Sequence, residues 1–300
     1  MIRMNIIDMR ELSLRLTGEC IKMVDLVASR SLLYMCDHHI QSPETHSSRV
    51  PETYPTKPGE SIYIHPSAMP NFFANYLPKL VHPFFLVTGD SDMTVPEDLP
   101  GFVEHLECHP LLICWYVQNC TRPSTKIRQL PIGLDFHTLA SGPHEWGPQQ
   151  TLEEQQRQLF RLKNANIPKK RLCYANFQFL MNTRYAQDRR DAINQVPKHL
   201  VYYEPKKIPR NESWNTMIQY TYVLSPHGNG LDCHRTWEAL ALGCIPIIKS
   251  SALDPLFRGL PVLIVRSWAD VTQQLLDQFQ PDRSQLEKLE LKYWKHLLTQ

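Results

Sequence analysis

The residue types and spacing best suited to chemistry lie between Tyr222 and Ile248: Ser225-Pro226-His227-Gly228-Asn229-Gly230, then Asp232-Cys233-His234-Arg235, then Glu238 and Gly243. The segment reads as a strand, a polar turn, a short helix over 231–242 and a second strand, which is the anatomy of a nucleotide site. Gly228 and Gly230 let the backbone turn tightly and approach a ligand, and Gly243 stops the helix. Asp232 reads as the helix N-cap. A helix beginning there aims free backbone N–H groups and the positive end of its dipole at an anion, while Glu238, further along, accepts hydrogen bonds from sugar hydroxyls. The alternative is an ordinary α/β turn whose glycines serve geometry alone.

At Ser225, Pro226, Gly228, Gly230, Arg235, Glu238, Ala239, Leu240, Gly243, Cys244, Ile245 and Pro246 the chain resembles the exostosin family of glycosyltransferases. The C-terminal domain of that family carries Ser-Pro-x-Gly-x-Gly, then Arg, then Glu-Ala-Leu-x-x-Gly-Cys-Ile-Pro. The resemblance implies a two-domain GT-B fold and a nucleotide sugar, usually UDP-linked, bound in the C-terminal half. It further implies inverting transfer to a glycan or other hydroxyl acceptor, with no essential metal or other cofactor. The membrane stem typical of Golgi members has no counterpart here, so the chain looks more like the compact soluble members of the family.

Glycosyl transfer needs a departing diphosphate neutralised, a nucleotide anchored and an acceptor hydroxyl deprotonated. Candidates for the diphosphate are the Gly228, Asn229 and Gly230 backbone, Arg235, and Arg184 or Arg190, because a guanidinium fork donates two hydrogen bonds to phosphate oxygens. Arg184, Arg189 and Arg190 also read as a solvated helix face with Asp188 and Asp191, and resemblance to an Arg-x-x-Leu pattern favours Arg190. Glu238 suits the ribose. Ser225 belongs to the matched turn, and His227 and His234 flank it within reach of phosphate or donor sugar. For the general base, Asp37-His38-His39, Asp90-Ser91-Asp92 and Asp135 each end a strand of the first half. Asp90 and Asp92 are favoured because they follow the cleanest apolar run, although any of these residues can simply cap the next segment.

Two other functions compete. Asp90-Ser91-Asp92 after a strand is also how metal-dependent GT-A glycosyltransferases hold manganese on a donor diphosphate. A carbohydrate-binding protein that has lost turnover is the other, since a fold does not fix a function.

With 300 residues, 42% hydrophobic and 21% charged, the chain suits two packed soluble domains. No apolar run is long enough to span a bilayer, and the charged N-terminus lacks the apolar core of a secretory signal, so a cytoplasmic setting is expected. Met1 to Glu11 reads as an amphipathic helix. Lys plus Arg number 32 against 30 acidic residues, without a basic block, which argues against nucleic acid as partner. Eight cysteines without a Cys-x-x-Cys pair disfavour zinc ribbons and disulfide frameworks.

Short apolar runs at 31–37, 61–65, 84–90, 111–117 and 127–135 predict parallel strands of a first domain, with a helix over 69–80 and a long loop over 41–60. The breaker cluster 141–148 marks a boundary, giving domains 1–145 and 146–300. The second half predicts strands at 171–177, 199–203, 222–224, 245–249 and 261–265. Helices are predicted at 151–164, 184–195, 212–219, 268–278 and 282–298, the last able to pack back on the first domain. This alternation specifies an α/β chain of two doubly wound, Rossmann-like domains facing a cleft.

Overall fold

The computed structural model describes residues 24–40, 48–179 and 181–298. The helix expected over 1–11 lies outside them. Two separate parallel sheets carry the architecture. The first holds β1 (Glu60–Ile64), β2 (Phe84–Thr88), β3 (Leu112–Gln118) and β4 (Ile127–Leu130) in sequential order. The second holds β5 (Lys170–Ala175), β6 (Val201–Tyr203), β7 (Tyr220–Leu224), β8 (Ile245–Lys249) and β9 (Leu263–Val265), ordered β6-β5-β7-β8-β9. Burial on both faces explains why strands such as β2, Phe-Phe-Leu-Val-Thr, are apolar throughout rather than alternating. In the second sheet the strand order reverses at β5 and β7, which opens a crevice beyond their C-terminal ends.

The departures from expectation have local causes. Residues 31–37 form a turn and the 3-10 segment Leu33–Met35 instead of a strand; only His38 bridges to Ile62 at the sheet edge. The predicted helix at 69–80 breaks into short 3-10, α and π turns, because Pro66, Pro70 and Pro78 remove backbone donors. Two further predicted helices are also interrupted, leaving Gln273–Gln278 after the 3-10 turn Trp268–Asp270, and Leu291–Leu297 after the 3-10 turn Leu286–Leu289. By contrast, the helix Leu152–Lys163 is closed by a capping box between Thr151 and Glu154. Among the described residues no helix is long and apolar enough to cross a membrane.

One apolar cluster is continuous between the sheets, joining Tyr63, Phe85 and Tyr116 of the first to Tyr174 and Val223 of the second and to Trp237 on the helix His234–Ala241. The helix Leu291–Leu297 returns to the first sheet, where the Tyr116 hydroxyl donates to the Leu297 carbonyl at 2.7 Å. Polar contacts then fix the relative position of the two sheets. Arg210, at the start of the helix Arg210–Met217, is buried and donates through Nη2 to Asp135 Oδ2 at 2.7 Å, through Nη1 to Gln155 Oε1 at 2.9 Å, and to the Asp135 carbonyl. The indoles of Trp146 and Trp214 lie 5.2 and 5.9 Å from its guanidinium carbon.

A second fastening joins Asn119, just past β3, to the glycine turn. Asn119 Nδ2 donates to the Ser91 carbonyl at 3.0 Å and its Oδ1 accepts from Asp232 N at 2.9 Å. A Cβ on Gly230 would lie 2.8 Å from Asn119 Nδ2, so glycine there is a condition of the two units meeting.

Two outcomes follow for stability. Asp135→Ala removes the closest anionic partner of the buried Arg210 cation and is expected to cost about 3–5 kcal/mol in urea unfolding. Gly230→Ala pushes a methyl into an amide held at both ends, for a loss of about 1–3 kcal/mol. Asn119 itself sits at φ 51°, a conformation glycine tolerates. Adding Asn119→Gly should therefore recover part of that loss, and a double-mutant cycle with additive terms would refute the contact as its origin.

Candidate active site

A cleft of about 760 Å³ lies beyond the C-terminal ends of β5 and β7, walled on one side by Asp92, Ile132 and Asp135 and on the other by the glycine turn and the helix His234–Ala241. The turn is built from the inside outward. Ser225 N donates to the Ile247 carbonyl at 2.9 Å, and Ser225 Oγ meets Thr236 Oγ1 at 2.8 Å, tying strand to helix beneath the turn. His227 N donates to Asp188 Oδ2 at 2.9 Å, and its Nδ1 lies 2.8 Å from the Leu231 carbonyl. Ser225 and His227 are thus buried supports, while Gly228, Asn229 and Gly230 reach the cleft.

Asp232 is not the helix cap. The helix begins at His234 with Cys233 in the cap position, because the Asp232 carboxylate is committed elsewhere. Its Oδ1 accepts from Cys233 N and Trp237 Nε1 at 2.9 and 3.0 Å, and its Oδ2 accepts from Ile132 N at 2.8 Å across the seam. Burial pushes its pKa up to about 6 despite these donors. The predicted extent of this helix, 231–242, shortens to His234–Ala241 accordingly.

Two guanidiniums form the cationic wall of the cleft. Arg189 donates through Nε to the His227 carbonyl and through Nη1 to the Gln178 carbonyl, both at 2.9 Å. Arg235 donates through Nη2 to the Pro226 carbonyl at 2.8 Å, and its Nε is buried without a hydrogen-bond partner. Both lie over the Phe177 ring, at 5.8 and 5.1 Å from its centroid. Burial, reinforced by the charge of Arg235, lowers the Arg189 pKa to about 10; burial lowers that of Arg235 too. A Cβ on Gly228 would lie 2.9 Å from Arg189 Nη2, so this glycine gives the guanidinium its place.

The other predicted arginines lie away from the cleft wall. Arg184 forms a two-pronged pair with Asp98 at 2.5 and 2.9 Å, and Arg190 is exposed, bonded to Gln187 Oε1 at 2.9 Å. Arg189 was the inward residue of the three. Its spacing from Ala192 and Val196, both buried, is the i, i+3, i+7 signal of an inward helix face.

Glu238 stands on the cleft one turn past His234, half-buried, with its Oε1 at 3.8 Å from Arg210 Nε. His234 Nδ1 lies 2.8 Å from the Gly133 carbonyl, and its ring centroid is 6.4 Å from that of His137. The two carboxylates of Asp90-Ser91-Asp92 part company. Asp90, at φ 58°, is paired with Arg30 Nε at 3.0 Å, whereas Asp92 is exposed on the cleft. Asp37 accepts from both Ser61 N and Ser61 Oγ at 2.8 Å and holds the sheet edge. Asp135 reaches the cleft wall with its oxygens spoken for by Arg210, by Thr138 N at 3.1 Å and by His137 Nδ1 at 3.2 Å. Burial would raise its pKa, but His137, His234, Arg210 and the Thr138 side chain together hold it well below the usual carboxylate range. Burial likewise presses His137 down to about 4, against the pull of Asp135. Sequence reasoning missed Arg210, Trp146, Phe177 and Asn119; the Arg210 contacts join residues 55 to 75 apart and leave no local pattern.

No protein-family model matches the chain, and none of the curated proteins does. Among solved structures, the one described as trehalose-6-phosphate from E. coli bound with UDP-2-fluoro glucose is 13% identical, covering 80% of this chain and 73% of that one, at a TM-score of 0.42. The alpha,alpha-trehalose 6-phosphate synthase from Burkholderia multivorans is 12% identical, covering 98% of this chain and 73% of that one, at a TM-score of 0.36. Likenesses this distant have no bearing on the cleft or its ligand.

Proposed function

We propose that the chain is a glycosyltransferase of GT-B architecture, drawing a UDP-linked sugar into the cleft and transferring it with inversion to a glycan or other hydroxyl acceptor. In this reading residues 146–300 hold the donor and residues 1–145 face the acceptor. The observation that carries it is the pair Arg189 and Arg235. A buried cation, Arg189, and a half-buried one, Arg235, lie against one ring, with no carboxylate ion-paired to either among the described residues and one buried N–H donor of Arg235 left open beside the glycine turn. Such an arrangement calls for an anion. A diphosphate at the turn offsets both charges, and its departure as UDP is helped by the same donors, which are in place before the bond breaks. Glu238, a turn along the helix, is then positioned for ribose hydroxyls, with Arg210 keeping its carboxylate oriented.

A metal-dependent reading rests on Asp90 and Asp92 acting together. The pairing of Asp90 with Arg30 leaves Asp92 as the one carboxylate of that tripeptide on the cleft, which favours neutralisation by arginine.

UDP is expected to raise the melting temperature of the protein, because a ligand bound only by the native state stabilises it. Glu238→Ala should weaken UDP binding by about 1–3 kcal/mol in calorimetry; unchanged affinity in a folded variant removes Glu238 from the ribose. Arg189→Lys and Arg235→Lys retain charge but lose the fork, so UDP release from a bound UDP-sugar should slow by about tenfold or more while unfolding is little changed. Normal turnover in both variants would sink the phosphate assignment.

Turnover in EDTA tests the metal-independent part of the reading separately. Rates that hold in the chelator fit arginine neutralisation, whereas loss in EDTA with restoration by manganese shows that a cation supplies the leaving-group stabilisation.

A further inference from the structure

We propose that His234 Nε2 is the proton acceptor for the incoming hydroxyl, an inference that rests on the glycosyl-transfer reading of the cleft. A backbone carbonyl sets the tautomer of the ring. His234 Nδ1 lies 2.8 Å from the Gly133 carbonyl oxygen, which can only accept, so the Nδ1 proton is fixed there. The neutral ring then carries its lone pair on Nε2, and the residue lines the cleft. Gly133 belongs to the segment leaving β4, so the hydrogen bond that sets the tautomer crosses from the first unit to the second. Neither half alone orients the ring.

The surroundings suit a ring that becomes charged during the reaction. Asp135 and Asp232 are the carboxylates close enough to His234 for each to feel its charge, one from the segment after β4 and one from the turn before the helix. His137 faces it from the first unit, where burial keeps that imidazole neutral near pH 7. Glu238 follows on the same helix face, and Arg210 lies behind Asp135, neutralised by it. Two rival carboxylates are committed, Asp90 to Arg30 and Asp135 to Arg210, while Asp92, exposed on the cleft, is the rival that the test below separates.

The step balances simply. An acceptor O–H gives its proton to Nε2 as its oxygen forms a bond to the anomeric carbon; the bond from that carbon to the diphosphate oxygen breaks, and its electron pair leaves on UDP. The imidazolium, flanked by two carboxylates, returns its proton to water after the products go.

The test uses the full chain, water as acceptor, and the UDP-sugar giving the largest thermal shift among UDP-glucose, UDP-galactose, UDP-N-acetylglucosamine, UDP-glucuronate and UDP-xylose. His234→Asn keeps a donor to the Gly133 carbonyl and removes the acceptor nitrogen; His234→Gln keeps bulk at the far edge but takes no proton. Both should bind UDP within about threefold of the wild type and release it from the donor at least about 100-fold more slowly, the scale of a lost general base. The acidic limb of the pH–rate profile should vanish with them. An acidic limb that persists in both His234 variants but disappears in Asp92→Asn overturns the proposal and leaves the glycosyltransferase reading standing. A wild-type protein that binds none of these donors overturns both.

Discussion

The arrangement of the molecule turns on a cationic pair kept out of water. Burying one guanidinium costs several kcal/mol unless its donors are satisfied, and Arg189 and Arg235 lie over the same ring, close enough for their charges to repel as well. What holds them is a set of backbone carbonyls on the turn, those of Pro226 and His227 above all, so that the turn and the cations specify each other. Asp188, the carboxylate whose charge acts on both cations, is bonded instead to His227 N and the Trp268 indole. The wall therefore stays positive, and Gly228 lets the backbone lie close to it.

The second constraint is that the cleft is completed across a seam. Asn119 approaches Gly230, Ile132 donates to Asp232, Gly133 accepts from His234, and Asp135 meets Arg210. All four come from the segments that leave β3 and β4, the edge of the first sheet nearest the second. A parallel sheet places loops of one kind at one end, so the C-terminal loops of both sheets converge on a common space. Asp232 illustrates the consequence: a residue with the right chemistry to cap its own helix is used to hold the opposite unit, and its burial is what lifts its pKa.

Most of the sheet framework was legible because buried parallel strands are continuous apolar runs, and β2, β3, β7 and β8 fall where those runs predict them. The run at 31–37 has the same composition but ends in a 3-10 turn, since nothing in a short apolar run distinguishes a strand from a buried turn. In the cleft, Gly228, Gly230, Arg235 and Glu238 were legible from local spacing alone. The choice among Arg184, Arg189 and Arg190 was not settled by type, and the buried partners Ala192 and Val196 decide it. Asp90 and Asp92 look equivalent in sequence; a left-handed backbone at Asp90 turns its carboxylate towards Arg30, a residue 60 positions away.

Arg210 connects these two constraints, because one buried cation serves both the seam and the cleft. Its short bond goes to Asp135, at 2.7 Å, and the longer approach, at 3.8 Å, goes to Glu238. The unequal sharing matters for a carboxylate that is to accept hydrogen bonds from a sugar. A bidentate pair with arginine would occupy both its oxygens, whereas a cation at 3.8 Å leaves them free to accept. Asp135, by taking the short bond, thus fixes the two units and preserves the acceptor capacity of Glu238 at once. Under the proposed reading, a movement that lengthened the Asp135 contact and brought Arg210 closer to Glu238 would compete with a ribose for the same oxygens, which would couple the geometry of the seam to the affinity for a nucleotide through one side chain.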